Sequence, residues 1–253
     1  MKKFINELIY INRNMGLVTK IILIVIFISI AMNLSHSHIF SLNFLIYIAI
    51  ILISIILHEM GHGIAAYILG DDTAKNRGRI SFNPLRHIDP LGLLFPVLMA
   101  ITGSPLIIGW AKPVPIDYSK IKHGRLGEFI VAISGVLANL LILILVVILI
   151  RLKGEMGLSS YRVNFILYNA YSLNLLLIIL NLIPIPPLDG SRILAAIGPN
   201  SLRDILFYFE RYGIIIILIL AWTGILDNFL LTTLRYFDHL ITYNFLVNYI
   251  WIQ

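Results

Sequence analysis

Uncharged apolar residues run along this chain in long blocks rather than at the spacing of an amphipathic helix or strand. With histidine counted as a break, the blocks are 21–57, interrupted at His36 and His38, then 90–111, 129–150, 163–188 and 212–226. A helix crosses the hydrocarbon core of a bilayer with about 20 apolar residues. The first block is long enough for two spans turning at 33–38, so the pattern predicts helices over 17–34, 42–69, 129–150, 164–183 and 212–231. The expected fold class is all-α and polytopic, with about five to six transmembrane helices.

Two stretches break the pattern. Residues 90–111 contain Gly92, Pro96, Gly103, Ser104 and Pro105, which reads as a broken or re-entrant segment, tolerable in lipid only where protein covers its backbone groups. Residues 191–211 carry Arg192, Arg203, Asp204, Glu210 and Arg211 and suit a short helix or two, and the apolar tail 240–252 is short for a span and is expected at the interface. The organisation expected is one membrane-embedded domain over 1–253, with a catalytic core at about 42–190, an N-terminal span at 17–34 and C-terminal helices over 191–253.

Basic residues orient these spans. Lys2, Lys3, Arg13 and Lys20 precede the first span and no Lys or Arg follows it before the second, which predicts a cytoplasmic N-terminus. Lys75, Arg77, Arg79 and Arg86 after the second span are then cytoplasmic, as are Lys112, Lys120, Lys122 and Arg125 if 90–111 re-enters. Arg151, Lys153 and Arg162 on the outer loop run against the rule.

Composition narrows the function classes. The chain has 253 residues, 59% hydrophobic and 13% charged, where soluble domains run near 25% charged. A soluble enzyme, a disulfide scaffold and a disordered regulator are therefore excluded as starting points. The net charge of +6 is scattered between apolar blocks without a base-reading face, so no nucleic-acid partner is expected. No glycine-rich phosphate loop is present, so no nucleotide is expected. With no cysteine, any metal must be held by His, Asp, Glu or backbone oxygen.

The second predicted span ends in His58-Glu59-Met60-Gly61-His62. Histidines four apart on a helix share one face at about 6 Å and can bind one metal, with the intervening glutamate placed to act on a water. The alternative is a packed or interfacial histidine pair, but ionisable groups within an apolar run are costly and default to function. A zinc site that keeps an open position needs a third protein ligand. A metzincin-type extension would need histidine at Ile68, and the acids between the motif and residue 127 all lie in turn-rich sequence. Asp189 is the better candidate, at the end of a run whose Pro184, Pro186 and Pro187 forbid regular helix and present the carboxylate on an extended, rigid chain. Its alternative role is an N-cap for a helix starting at Ser191.

The His-Glu-x-x-His motif in an apolar helix, together with Asn-x-x-Pro-x-Pro-Pro-Leu-Asp-Gly over 181–190, resembles the site-2 protease family of intramembrane zinc metalloproteases. A Gly-x-x-x-Asn spacing at Gly135 and Asn139, and the stretches 82–92 and 109–115, strengthen the likeness to compact prokaryotic members without an appended soluble domain. The resemblance implies one zinc ion held by His58, His62 and Asp189, with Glu59 as catalytic base. It places Asn139 at substrate backbone or the oxyanion, against a plain packing role. A zinc site nearer the cytoplasmic side of a prokaryotic cell membrane is also implied. Asp189 can then meet the histidines only if 90–111 re-enters rather than crosses.

Other residues suit supporting roles. Gly135 permits close helix approach, and Asn174 and Asn181 share a strip of the fourth predicted span, where they suit hydrogen bonds around the site or at its unwound end. His87 and Asp89 suit either a pair steering a ligand histidine or, on better grounds, a turn launching the re-entrant segment. His36, His38, His123 and His239 read as loop residues. The expected function is hydrolysis of peptide bonds in or near transmembrane segments of a substrate protein, the segment 90–115 receiving the unwound substrate. Selectivity would come from loops, lipid-facing surfaces, a membrane-protein regulator or a second copy. The rival is a non-proteolytic metal transporter or scaffold, which has no need for Glu59 and would be expected to show paired broken spans.

Overall fold

A computed structural model describes residues 41–87, 112–158 and 160–246. It divides into two compact units, Met1–Leu45 with Asp89–Ala111, and Ile46–Ile88 with Lys112–Gln253. The first lies almost wholly outside the described residues, as do the predicted span 17–34, the segment 90–111, Asp89, His36 and His38. The second unit, together with the first turn of its leading helix, holds the described residues.

The described residues are helical, without strands. Helix α1 is Leu42–Ile68, α2 is the single turn Thr73–Asn76, α3 is Gly124–Glu155 and α4 is Tyr161–Leu182. Helices α1, α3 and α4 are long and apolar enough to cross a membrane, matching the predicted 42–69, 129–150 and 164–183 to within a few residues except at the α3 ends. At 32 residues α3 is about 48 Å long, so it overshoots a hydrocarbon core of about 30 Å.

The helices meet through small residues along one stretch and through interlocking apolar side chains along another. On α3 the buried positions include Gly127, Ala132, Gly135 and Asn139, whereas Leu141 and Leu145 face outward. Lipid gives no hydrophobic gain to helix association, so small residues that allow close backbone approach mark the contact faces. Gly61 of α1 shows this, since a Cβ there would lie 2.7 Å from the Ser134 carbonyl oxygen of α3. Further along, Leu143, Val146 and Ile150 of α3 interlock with Leu167, Tyr171, Leu175 and Ile179 of α4. Asn174 of α4 is fully buried and donates to Ser54 Oγ of α1 at 3.0 Å, a polar tie between two apolar helices.

Beyond α1 the chain forms a stitched cap. Lys122 N–H donates to Leu69 O at 2.9 Å, Asp117 N–H to Asp71 Oδ2 at 2.7 Å, and Lys120 pairs with Asp72 at 3.1 Å. The end of α1 and the approach to α3 are thus joined at one end of the bundle. Lys112 N–H also donates to His87 O at 2.9 Å, so the chain leaves and returns around 88–111 one hydrogen bond apart. The buried Arg79 guanidinium donates to the carbonyls of Arg86, Lys112 and Pro113 and clamps both sides of that departure.

After α4 come α5 (Asp189–Ile197), α6 (Asn200–Glu210), α7 (Gly213–Trp222) and α8 (Ile225–Ile241), so 191–211 holds two short helices. The predicted span 212–231 is not one helix. Gly224 at φ +72° stops α7 and restarts the chain as the amphipathic α8, because only glycine takes that left-handed conformation freely. Helices α6 and α7 meet at 77°, so the described residues hold three candidate spans, or four if that bent pair is one broken span. The expected five to six are not reached among them.

Candidate metal centre

His58 and His62 lie one turn apart on α1, both buried, with their rings edge to face at a centroid distance of 4.8 Å. Their Nε2 atoms are 3.1 Å apart, and Asp189 Oδ2 lies 3.1 Å from the first and 3.2 Å from the second. The carboxylate arrives from 127 residues away in sequence from His62. Among the described residues, this is the cluster of histidine and carboxylate groups able to hold a metal ion.

Two features deliver Asp189 there. The prolines stop α4 at Leu182, and the chain turns through 183–188 into α5, whose first residue is Asp189 itself. Leu188, not Asp189, is the N-cap, and no side-chain cap bond forms, so the capping role gives way. The carboxylate therefore stands on the first turn of a helix rather than on the extended run the prolines suggest. Helix α5 packs on α3, and the ends are fastened by Arg125 donating to Gly198 O at 2.6 Å and by a two-pronged Arg203–Glu128 pair at 2.6 and 3.0 Å.

The donor set fits a metal cation. His62 Nδ1 is 2.7 Å from Val131 O, a group that only accepts, so that nitrogen carries a proton and the neutral ring presents its lone pair at Nε2. Converging lone pairs and a carboxylate oxygen repel unless a cation joins them. Edges of 3.1–3.2 Å are close to the roughly 3.3 Å edges of a tetrahedron with zinc bonds of about 2.0–2.1 Å. Gly135 makes the room, since a Cβ there would lie 2.3 Å from His62 Nε2 and 2.7 Å from His58 Nε2.

Glu59 points to another partner, its Oε2 accepting from Val114 N–H at 2.7 Å. Asn139 is fully buried against His58, with 3.2 Å between Asn139 Nδ2 and His58 Nδ1. The remaining candidates make other contacts. Asn174 bonds Ser54, Asn181 donates back to Leu177 O of its own helix, and the His87 ring meets Ser81 O at 2.7 Å in the turn before 88–111. Sequence reasoning missed Val131, Val114 and Arg79. Val131 carries no side-chain signal, because its carbonyl does the work. Val114 was legible in principle: between Pro113 and Pro115 it owns the lone backbone N–H of three residues.

A carboxylate closing on two histidines of an apolar helix, with a glutamate between the histidines, is the arrangement a membrane-embedded metallohydrolase requires. The sequence model of Peptidase family M50 matches residues 156–224, which include Asp189 but not the His58–His62 motif. A Bacillus subtilis protein named "Putative zinc metalloprotease YwhC" is 35% identical over 190 residues, covering 73% of this chain and 84% of its own length. The chain belongs to peptidase family M50, the site-2 protease family of intramembrane zinc metalloproteases. Proteins named "Putative zinc metalloprotease Rip2" match as well. The one from Mycolicibacterium smegmatis is 29% identical over 77% of this chain and 73% of itself, and that from Mycobacterium tuberculosis 31% identical over 62% and 58%. No solved structure matches.

Proposed function

We propose that this chain hydrolyses peptide bonds in or near transmembrane segments of other membrane proteins, with His58, His62 and Asp189 holding one zinc ion and Glu59 acting as base. The observation that carries this reading is the convergence of Asp189 Oδ2 on both histidine Nε2 atoms at 3.1–3.2 Å. Zinc bound there supplies Lewis acidity, polarising the scissile carbonyl and lowering the pKa of water. Glu59, its Oε2 held by Val114 N–H, is the group assigned to take the proton as water attacks and to return it to the leaving amine. His62 is oriented by Val131 O, and Gly135 keeps the space above both rings open.

The substrate-receiving edge is assigned to 90–115, supported by the irregular run at 112–117 that brings Val114 against the base. Re-entry of 90–111 is supported by the Lys112–His87 hydrogen bond at 2.9 Å, which leaves the basic residues before and after that segment on one side. Charge bias makes that side cytoplasmic. The test is zinc content of the purified chain alongside cleavage of a transmembrane reporter in lipid. Zinc-dependent cleavage by the wild type is expected, and no cleavage of any membrane reporter by a zinc-loaded chain would overturn the reading.

A further inference from the structure

His58 turns Nε2 toward His62 and Asp189, which leaves Nδ1 on the far edge of the ring facing Asn139. There the amide nitrogen lies 3.2 Å from Nδ1, while Asn139 Oδ1, fully buried, has no hydrogen-bond partner among the described residues. A neutral histidine that offers its Nε2 lone pair to a metal carries its proton on Nδ1. Two donors would then face one another while an acceptor on the same amide stands idle. The oxygen and nitrogen of an asparagine amide have nearly the same shape, and the hydrogen-bond network decides between them. Exchanging them converts the opposed donors into an Nδ1–H···Oδ1 hydrogen bond. His62 has the equivalent arrangement already, with its Nδ1 2.7 Å from the Val131 carbonyl.

We infer that Asn139 is a positioning residue for the metal centre, its Oδ1 accepting the Nδ1 proton of His58 and thereby fixing the ring's tautomer and plane. This rests on the metal-centre reading above and adds a role to it. One helix, α3, then orients both histidines of α1: Val131 through a carbonyl that no substitution removes, Asn139 through a side chain that one substitution can. Between them lies Gly135, whose missing side chain admits the rings.

The test uses the full chain in detergent and measures zinc affinity by competition with a chelator, with the absorption of the Co2+-loaded protein as a spectroscopic readout. Asn139→Leu keeps the volume and removes the acceptor. It is expected to weaken zinc binding about 10–100-fold, the usual cost of losing such a partner, and to alter the Co2+ spectrum. Asn139→Asp presents only acceptor oxygens and is expected to restore affinity to within a few-fold of wild type. Unfolding temperatures of the zinc-free variants report folding separately. Leu with wild-type affinity and spectrum would overturn the inference, and so would a folded Asp variant as weak as Leu. If Asp does not fold, the Leu result decides alone. A wild-type chain that takes up no zinc would overturn the metal-centre reading as well, which distinguishes the two failures.

Discussion

The backbone N–H of Val114 donates to Glu59 Oε2 at 2.7 Å, joining the proposed base to a chain segment 55 residues away. Val114 follows the point where the chain returns from 88–111, and Arg79 grips the carbonyls just before it, those of Lys112 and Pro113. The base is therefore positioned by the same structure that holds the neck of the proposed substrate-receiving segment.

Replacing Glu59 by Gln keeps an acceptor for Val114 N–H while removing the basicity. The variant is expected to fold and hold wild-type zinc, and to cleave a transmembrane reporter roughly 10²–10⁴-fold more slowly. Metal analysis and cleavage rates on the same preparation check this, and equal rates at matched zinc would remove Glu59 from the chemistry.

At Gly135 an added methyl group meets both rings, at 2.3 Å from His62 Nε2 and 2.7 Å from His58 Nε2. Gly135→Ala is expected to lose most of its zinc with little change in helix content, measured by metal analysis and circular dichroism. Full zinc occupancy in that variant would contradict the ring positions.

Arg79→Met should leave the carbonyls of Arg86, Lys112 and Pro113 without their charged donor. Hydrogen bonds to charged groups contribute about 1.5–3 kcal/mol each, so an unfolding penalty on the order of 3 kcal/mol is expected. Arg79→Lys should recover only part of it, because an ammonium lacks the planar fork that reaches several carbonyls. Thermal unfolding in detergent measures both, and cleavage should fall alongside stability if the clamp also holds Val114 in place.

Topology can be read with single cysteines in this cysteine-free chain. Lys75 and Lys120 stand at the same stitched end, where Lys120 reaches Asp72 at 3.1 Å. Cysteines replacing Lys75 and Lys120 should resist an impermeant thiol reagent in intact cells, whereas one at Ser159 should react. Labelling of the Lys120 position alone would separate it from the Lys75 position and break the re-entrant arrangement.

Asp71, beyond the end of α1, gives a pH test. Burial by itself raises its carboxyl, but hydrogen bonds from the Thr73 hydroxyl and the N–H groups of Asp117 and Thr73, with the Lys120 charge, outweigh it and hold the group below its ordinary range. A depressed folded-state pKa adds stability that is complete above the ordinary carboxylate value of about 4 and fades as pH falls through the lower folded value. Asp71→Ala should thus lower the unfolding temperature by a constant amount above about pH 5, with the gap narrowing in acid. A gap that widens in acid would reverse the assigned direction.

What the sequence determined by itself was the membrane class, three spans and the ligand types. Long apolar blocks carry their own length scale, so α1, α3 and α4 follow from hydropathy, and His58, Glu59 and His62 from their spacing on one helix. Local rules reach no further than the next turn. The split of 212–231 at Gly224 was hidden because glycine in an apolar block is compatible with a continuous helix until the backbone commits to a positive φ. The sequence named Asp189 as a candidate, but only folding brought its oxygen to 3.1 Å from His58 Nε2 and made it the first residue of a helix rather than a cap. The partners that orient the site were decided by tertiary structure alone. Val131 O and Val114 N–H are backbone groups present at almost every residue, and only the packing of α3 and of 112–117 against α1 selects these two.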